Sequence, residues 1–395
     1  MNIGMILDTD FPPDPRVENE AVTLIAAGFE VSLFCLDYKN KNDSRETIHG
    51  IKVFRKACPN WVYKSSALAY TIPLYHWVTK KWIGDFIKEA EVDALHIHDM
   101  QIAQAIFDLP ESKDMPIVLD LHEMRPEIMK FYNHLHKFPG KYLIQPKTWA
   151  KAESSLIERS SKTVVVTEEA KNYYAKKLNL SSDHFIVVPN TVRKGFTENA
   201  DIKDEIVNKY KGKFVVLYVG DTGLRRGLMT VLEAMPELKE KIDNMKLVIV
   251  GSNKSDVVLK NFVKEKNLAK WVDFEGWKDF TLFQSYISVS DICISPLHRN
   301  LHHDTTYANK IFQYMALGKP IVVSDCLSQE SVVKRANSGL VFEAENVLDF
   351  TRKIGELSSN KELRDRLGAN GSKFAREQFN WETTSQGLID FYKEL

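Results

Sequence analysis

Residues 290–324 read SDICISPLHRNLHHDTTYANKIFQYMALGKPIVVS, and this stretch decides the fold. Ile292, Cys293 and Ile294 form a short apolar run that stops at Ser295-Pro296, and a second buried strand is expected after the Gly-Lys-Pro break at 318–320. Short apolar runs of this kind suit strands of a parallel sheet covered on both faces. Between them lie a loop, 297–306, dense in His, Arg, Asp and Thr, and a helix expected over 306–317 that ends at Gly318. The carboxyl ends of parallel strands open into the crevice where ligands bind. Free N–H groups at Thr305, Thr306 and Tyr307, at the positive end of that helix, suit an anion and above all a phosphate. Ile311, Phe312, Met315 and Ala316 make the apolar face of the helix, while Asn309, Lys310 and Gln313 are polar. Those polar residues either meet a ligand or form a solvated helix face.

The run TTYANKIFQYMALGKPIVVS (305–324) resembles the donor-site helix of retaining glycosyltransferases of the GT-B fold, family 4 in particular. Members carry a Glu-x7-Glu pattern here and then a YMA-x-GKPVV segment. One branch reads Asn-Lys-hydrophobic-Phe-Glu-Tyr-Met-Ala, close to Asn309 through Ala316 of this chain. Gln313 takes the place of the second Glu and Thr305 that of the first. Gln313 can still hydrogen-bond a ribose hydroxyl, without charge. The contact that the first Glu makes to the donor sugar would fall to Thr305, Asp304 or backbone N–H groups, or be lost.

At 395 residues the chain is long enough for two domains. Lys plus Arg, 53, balance Asp plus Glu, 53, which argues against a general nucleic-acid binder. Cys35, Cys58, Cys293 and Cys326 are scattered without Cys-x-x-Cys spacing, so a reducing cytosol and no metal site are expected. The opening MNIGMILDTD reads as a strand, not a signal peptide, and no apolar run reaches bilayer length. The expectation is a cytoplasmic protein, soluble or peripheral on the inner face of a membrane.

In the first half, a strand at 3–7, a loop at 9–15, a helix at 17–27 and a strand at 29–36 open a doubly wound sheet. No GxGxxG follows the first strand, which weakens a dehydrogenase reading. PPDPRVENEA resembles the first loop and helix of the same glycosyltransferase branch, making Asp14 and Arg16 acceptor-side candidates; a surface ion pair of Arg16 with Glu20 is the alternative. Residues 52–82 contain no acid, and 125–151 only Glu127; lysines there alternate with Trp, Tyr and Phe. Such a mixture suits an interfacial surface over anionic lipid, an acceptor carrying a diphosphate, or ordinary aromatic packing with a lysine rim. Strands at 93–99 and 117–121 end in His96, His98 and Asp99, and in His122-Glu123. Their spacing does not complete a metal-ligand set. DLHE resembles the family's Thr/Asp-x-His-Asp/Glu strand end, which implies that His122 contacts a hydroxyl of the donor sugar, with Glu123 orienting it or the acceptor; His98 is an acceptor-side candidate. A core histidine held by a carbonyl is the alternative for His122.

The segment VVPN at 187–190 resembles the exit of the family's first domain, and the polar run 192–208 is the expected linker. A strand at 214–219 then leads to GDTGLRRG, 220–227. Gly220 and Gly223 let backbone approach an anion, and Arg225 and Arg226 offer planar forks of donors for phosphate oxygens. In the family this loop reads Gly-Arg, then Lys-Gly; Arg226-Gly227 matches the latter, Asp221 stands at the former, and Arg225 or Lys310 could compensate. Trp277, in a segment resembling the family's base-bracketing loop, would stack on a nucleobase or, by default, pack on the sheet.

The resemblance implies a GT-B fold: an acceptor-binding Rossmann-like domain at 1–195, a nucleotide-sugar-binding one at 196–375, and a last helix, 376–395, crossing back. It implies a retaining, metal-independent hexosyltransferase-type enzyme without cofactor, whose co-substrate is a nucleotide diphosphate sugar, a UDP-sugar being favoured. The acceptor would be a glycan, a lipid-linked or another hydroxyl in cell-surface polysaccharide or glycoconjugate synthesis, and closure of the domains would exclude water. Loss of both family glutamates leaves open a catalytically silent nucleotide-sugar-binding partner, and the fold admits a nucleotide-sugar 2-epimerase.

Overall fold

The structure, a computed structural model, describes residues 1–40, 42–138, 140–198 and 201–395, with side chains except at 133 and 134. The chain divides into two compact units, Met1–Pro189 with Ser385–Leu395, and Asn190–Thr384. Sequence reading put the divisions at 195 and 375; residues 199 and 200 of the expected linker lie outside the described residues.

Unit 1 is built on β1 (Asn2–Leu7), β2 (Glu30–Asp37), β3 (Ser44–Ile48), β4 (Ile51–Ala57), β5 (Ala94–His98), β6 (Ile117–Leu121), β7 (Lys162–Val165) and β8 (Phe185–Val187), in the order β3-β4-β2-β1-β5-β6-β7-β8. Every pair is parallel except β3 with β4. Helices cover both faces, so β1 and β6 read as largely apolar runs, and β1, β5 and β6 are buried almost throughout. The connecting helices used below are α1 (Pro15–Ala26), α2 (Asn60–Ser66) and α3 (Leu74–Ala90). Strand order reverses between β1 and β5, the switch point beyond whose carboxyl ends ligands bind in open sheets. The C-terminal helix Gln386–Glu394 belongs to this unit, and its Tyr392 hydroxyl lies 2.9 Å from His96 Nδ1.

Unit 2 holds β9 (Phe214–Val219), β10 (Met245–Val250), β11 (Val272–Gly276), β12 (Ile292–Ser295), β13 (Ile321–Ser324) and β14 (Gly339–Phe342), ordered β11-β10-β9-β12-β13-β14 and all parallel. Side chains alternate across the sheet: Val215, Leu217 and Val219 join one core with Ile311, Phe312 and Met315, while Val216 and Tyr218 join the other with Leu228, Leu232 and Phe350. Here the switch point lies between β9 and β12, so the loops after them, 220–227 and 296–309, share one crevice. Among the described residues no helix is long and apolar enough to cross a membrane.

Candidate active site

In unit 2 the stretch 301–316 departs from expectation. Two short helices, Leu301–Thr305 and Lys310–Ala316, replace the single helix predicted from residue 306. Asn300 caps the first by accepting from His303 N, and Ser328 donates its hydroxyl to the carbonyls of His303 and Thr306 at 2.9 and 3.0 Å. Those carbonyls are thereby held by a side chain, and Thr306 is extended. Thr305, Thr306 and Tyr307 are therefore not a helix N-terminus. The Thr305 hydroxyl is buried and donates back to Leu301 O at 2.7 Å. Asn309 stands exposed at the N-cap of the second helix. The buried atoms Gln313 Oε1 and Thr306 Oγ1 have no hydrogen-bond partner among the described residues.

The loop after β9 is fastened to this stretch. Gly227 has φ +77°, and a Cβ there would sit 1.6 Å from Pro296 O, so only glycine lets the turn close on the end of β12. His298 N donates to Arg225 O at 3.0 Å. His303 Nδ1 lies 2.7 Å from His298 O and must carry its proton towards that carbonyl; Nε2 then accepts from Arg225 Nη1 at 2.9 Å. Burial, helped by the cationic charge of Arg226 and Arg225, pushes His303 down to about 2, which keeps the ring neutral and able to accept. Arg226 Nε sits 3.4 Å from Asp221 Oδ2, and Asn253 donates to the same carboxylate at 2.6 Å. Lys310 Nζ lies 3.6 Å from the centroid of the Tyr218 ring; burial, then Arg226, hold its pKa well below the ordinary lysine value. Arg225, Arg226 and Lys310, with Gly220 and Gly223, thus surround the end of β9. Trp277 is exposed rather than packed on the sheet.

In unit 1 the ends of β5 and β6 assemble a charged cluster. Asp99 turns out of β5 in the left-handed region, φ +61°, and its Oδ1 accepts from His122 N at 3.3 Å while Oδ2 lies 3.5 Å from His122 Nδ1. His122 Nε2 is 2.9 Å from Asp120 Oδ2. Burial disfavours the charged ring, but the carboxylates of Asp99 and Asp120 outweigh it and raise His122 to about 10. Asp120 in turn is held well below the usual carboxylate range: burial opposes this, and Arg16 and His122 overcome it. His98, fully buried, lies 3.2 Å from the same oxygen of Asp120 and is shifted towards neutrality by burial. Burial and the nearby Asp99 raise Glu123, whose Oε1 is 3.3 Å from Arg125 Nη1.

Two acceptor-side candidates take structural places instead. Asp14 caps α1, accepting from Arg16 N and Val17 N. Arg16 is neither a surface ion pair nor open to a phosphate: it is buried, forks onto Asp120 at 2.9 and 2.7 Å, reaches Glu20 at 2.9 Å and donates to Val188 O at 2.9 Å. Glu20, His96, His98 and Asp120 offer ligand atoms within 4.8 Å of one another, a spacing that a cation could use. The Arg16 guanidinium already supplies positive charge to both carboxylates.

Residues 16–194 match the family model described as Glycosyltransferase Family 4, and residues 199–374 the one described as Glycosyl transferases group 1. The chain is a family 4 glycosyltransferase of the GT-B fold. An uncharacterized glycosyltransferase of Methanocaldococcus jannaschii is 25% identical over 334 residues, covering 84% of this chain and 82% of the relative. Among solved structures, sucrose-phosphate synthase from Thermosynechococcus elongatus aligns with a TM-score of 0.77 at 16% identity, over 100% of this chain and 98% of that one. HepE of Anabaena in complex with UDP aligns at 0.67 and 13% identity over 100% of both chains. In this glycosyltransferase, sequence reasoning missed Asp99, Asp120 and His303 as partners of the named residues. Asp120 lay inside the DLHE motif, so a signal existed; for His303 the only signal was a histidine in the polar loop.

Proposed function

We propose that the chain is a retaining transferase moving a sugar from a nucleotide diphosphate sugar, a UDP-sugar before others, to a glycan, lipid-linked or other hydroxyl acceptor on the cytoplasmic side. The observation that carries the reading is the cluster of Arg225, Arg226 and Lys310 around the glycine turn beyond the switch point of the second sheet, in a chain matched to glycosyltransferase families along most of its length. As the bond from the anomeric carbon to the phosphate oxygen breaks, negative charge gathers on the leaving diphosphate, and the two arginines offset it, joined by Lys310, whose pKa a bound diphosphate would raise. The acceptor oxygen bonds to the anomeric carbon on the same face, and its proton passes to the departing phosphate oxygen. That step needs no carboxylate pair, cofactor or metal. Gln313, with a buried oxygen left unpaired, is assigned to the ribose, Asn309 to the nucleotide and exposed Trp277 to the base. His122, held charged, is assigned to a hydroxyl of the donor sugar with Glu123 beside it, as the resemblance implies.

Arg226→Ala should lower turnover of a UDP-sugar at least about a hundredfold, read as release of nucleotide diphosphate. Wild-type turnover in that variant would remove the phosphate assignment. A silent binder is the second reading: the Thr305 hydroxyl, turned back onto Leu301 O, does not replace the missing glutamate. Thermal stabilisation by UDP-sugars without any release of diphosphate, whatever acceptor is supplied, would favour it.

A further inference from the structure

The two acid-poor, aromatic stretches of unit 1 divide sharply in the structure. Some of their rings enter the core: Tyr75 and Trp149 are buried, and Tyr70 packs edge-on against Trp149 at 4.9 Å. The others stay outside. Phe138 is 85% exposed, Trp77 69% and Tyr142 67%, and Ile72, Leu74 and Leu143 join them. They are one surface. Thr71 donates its hydroxyl to Leu143 O at 2.8 Å, which sets the turn before α3 against the short helix Gly140–Leu143, and Phe138 meets Tyr142 edge-on at 6.5 Å. On α3, Leu74, Trp77 and Lys81 follow a spacing of three and four residues along the exposed face, opposite buried Tyr75, His76, Thr79 and Ile83.

Charge selects the occupant. Residues 59–84 contain three lysines and no acid, and 128–152 five lysines and no acid, in a chain of formal net charge zero. Lys64, Lys81, Lys137, Lys141 and Lys147 are exposed, and none forms an ion pair among the described residues. A second copy of the same face would set lysines against lysines. Nucleic acid would leave the aliphatic Ile72, Leu74 and Leu143 without a partner. We propose that this face of unit 1 docks on an anionic lipid bilayer, with Trp77, Phe138 and Tyr142 at the headgroup boundary and the lysines on lipid phosphates. Both stretches leave the carboxyl edge of the sheet, after β4 and after β6, the edge that also carries His98 and His122. Docking there brings a lipid-borne hydroxyl to the same edge. The docking stands apart from the proposed reaction; its use in delivering an acceptor rests on that reaction.

The full chain is floated with vesicles of phosphatidylcholine alone and of phosphatidylcholine with equimolar phosphatidylglycerol. Binding to the anionic vesicles only, released by added salt, is the expected result. Lys137→Glu with Lys141→Glu, and separately Trp77→Ser with Phe138→Ser, should each weaken that binding about tenfold or more while the melting curve keeps its shape. Failure to bind anionic vesicles, binding untouched by both variants, or a dimer in sedimentation that the Trp77→Ser, Phe138→Ser variant dissociates would overturn the proposal. UDP-sugar breakdown measured without vesicles separates the two ideas. Turnover without vesicle binding defeats the docking alone, whereas vesicle binding without turnover upholds docking and counts against the transferase reading.

Discussion

Arg225 is aimed by a neutral histidine. With Nδ1 committed to His298 O, His303 presents only a lone pair to Arg225 Nη1, and burial keeps it that way across the working pH range. His303→Phe should raise KM for the nucleotide sugar about tenfold with a smaller fall in kcat, since one hydrogen bond to a charged group is lost. His303→Gln, which restores an acceptor, should recover part of the loss. Equal kinetics in Phe and Gln variants would show that His303 serves packing alone. His122 gives a second test. Its folded pKa, about 10, lies above its ordinary 6.5, so the contribution to stability is fully present below about pH 6.5 and is lost as pH climbs towards 10. Denaturant unfolding of His122→Asn should therefore show a flatter stability profile than the parent between those values. Parallel profiles would mean that the ring is not held charged.

At the scale of elements, the turn 224–227 and the end of β12 act as one piece because the Gly227 backbone lies against Pro296 O. Gly227→Ala must move that carbonyl or the turn, and a side chain at φ +77° adds its own cost. A loss above about 2 kcal/mol in urea unfolding is expected, together with weaker nucleotide binding. A variant as stable as the parent would show that the turn and β12 are not packed as described. The break at 306–309 follows similar logic. Local propensity favours one helix across 306–317, yet Ser328, a residue of a different helix, takes the carbonyls of His303 and Thr306. Periodicity could place Ile311, Phe312 and Met315 in the core but could not report a competitor for backbone acceptors 22 and 25 residues away in the chain.

For the whole molecule, two units with separate cores imply that a single unfolding midpoint is not defined. A donor bound by the proposed unit 2 site would stabilise that unit by mass action, about 2.7 kcal/mol at a hundredfold excess over Kd. Calorimetry of the full chain with UDP should move one transition upward and leave the other, and Arg226→Ala should lose the shift. A uniform shift of both transitions would place the nucleotide elsewhere.

The apolar runs at 292–294 and 321–324, the strand-helix alternation and the TTYANKIFQYMALGKPIVVS motif are local signals, and from them the sequence by itself determined the α/β class and the family. Tertiary structure alone decided which charges meet. Arg16 finds Asp120 across 104 residues and Arg225 finds His303 across 78. It also decided which aromatics of one composition-biased stretch became core and which stayed on the surface. Side-chain pattern follows from short-range geometry, but a buried ion pair or an exposed face exists only once distant segments have closed around it, and no repeat along the chain encodes that distance.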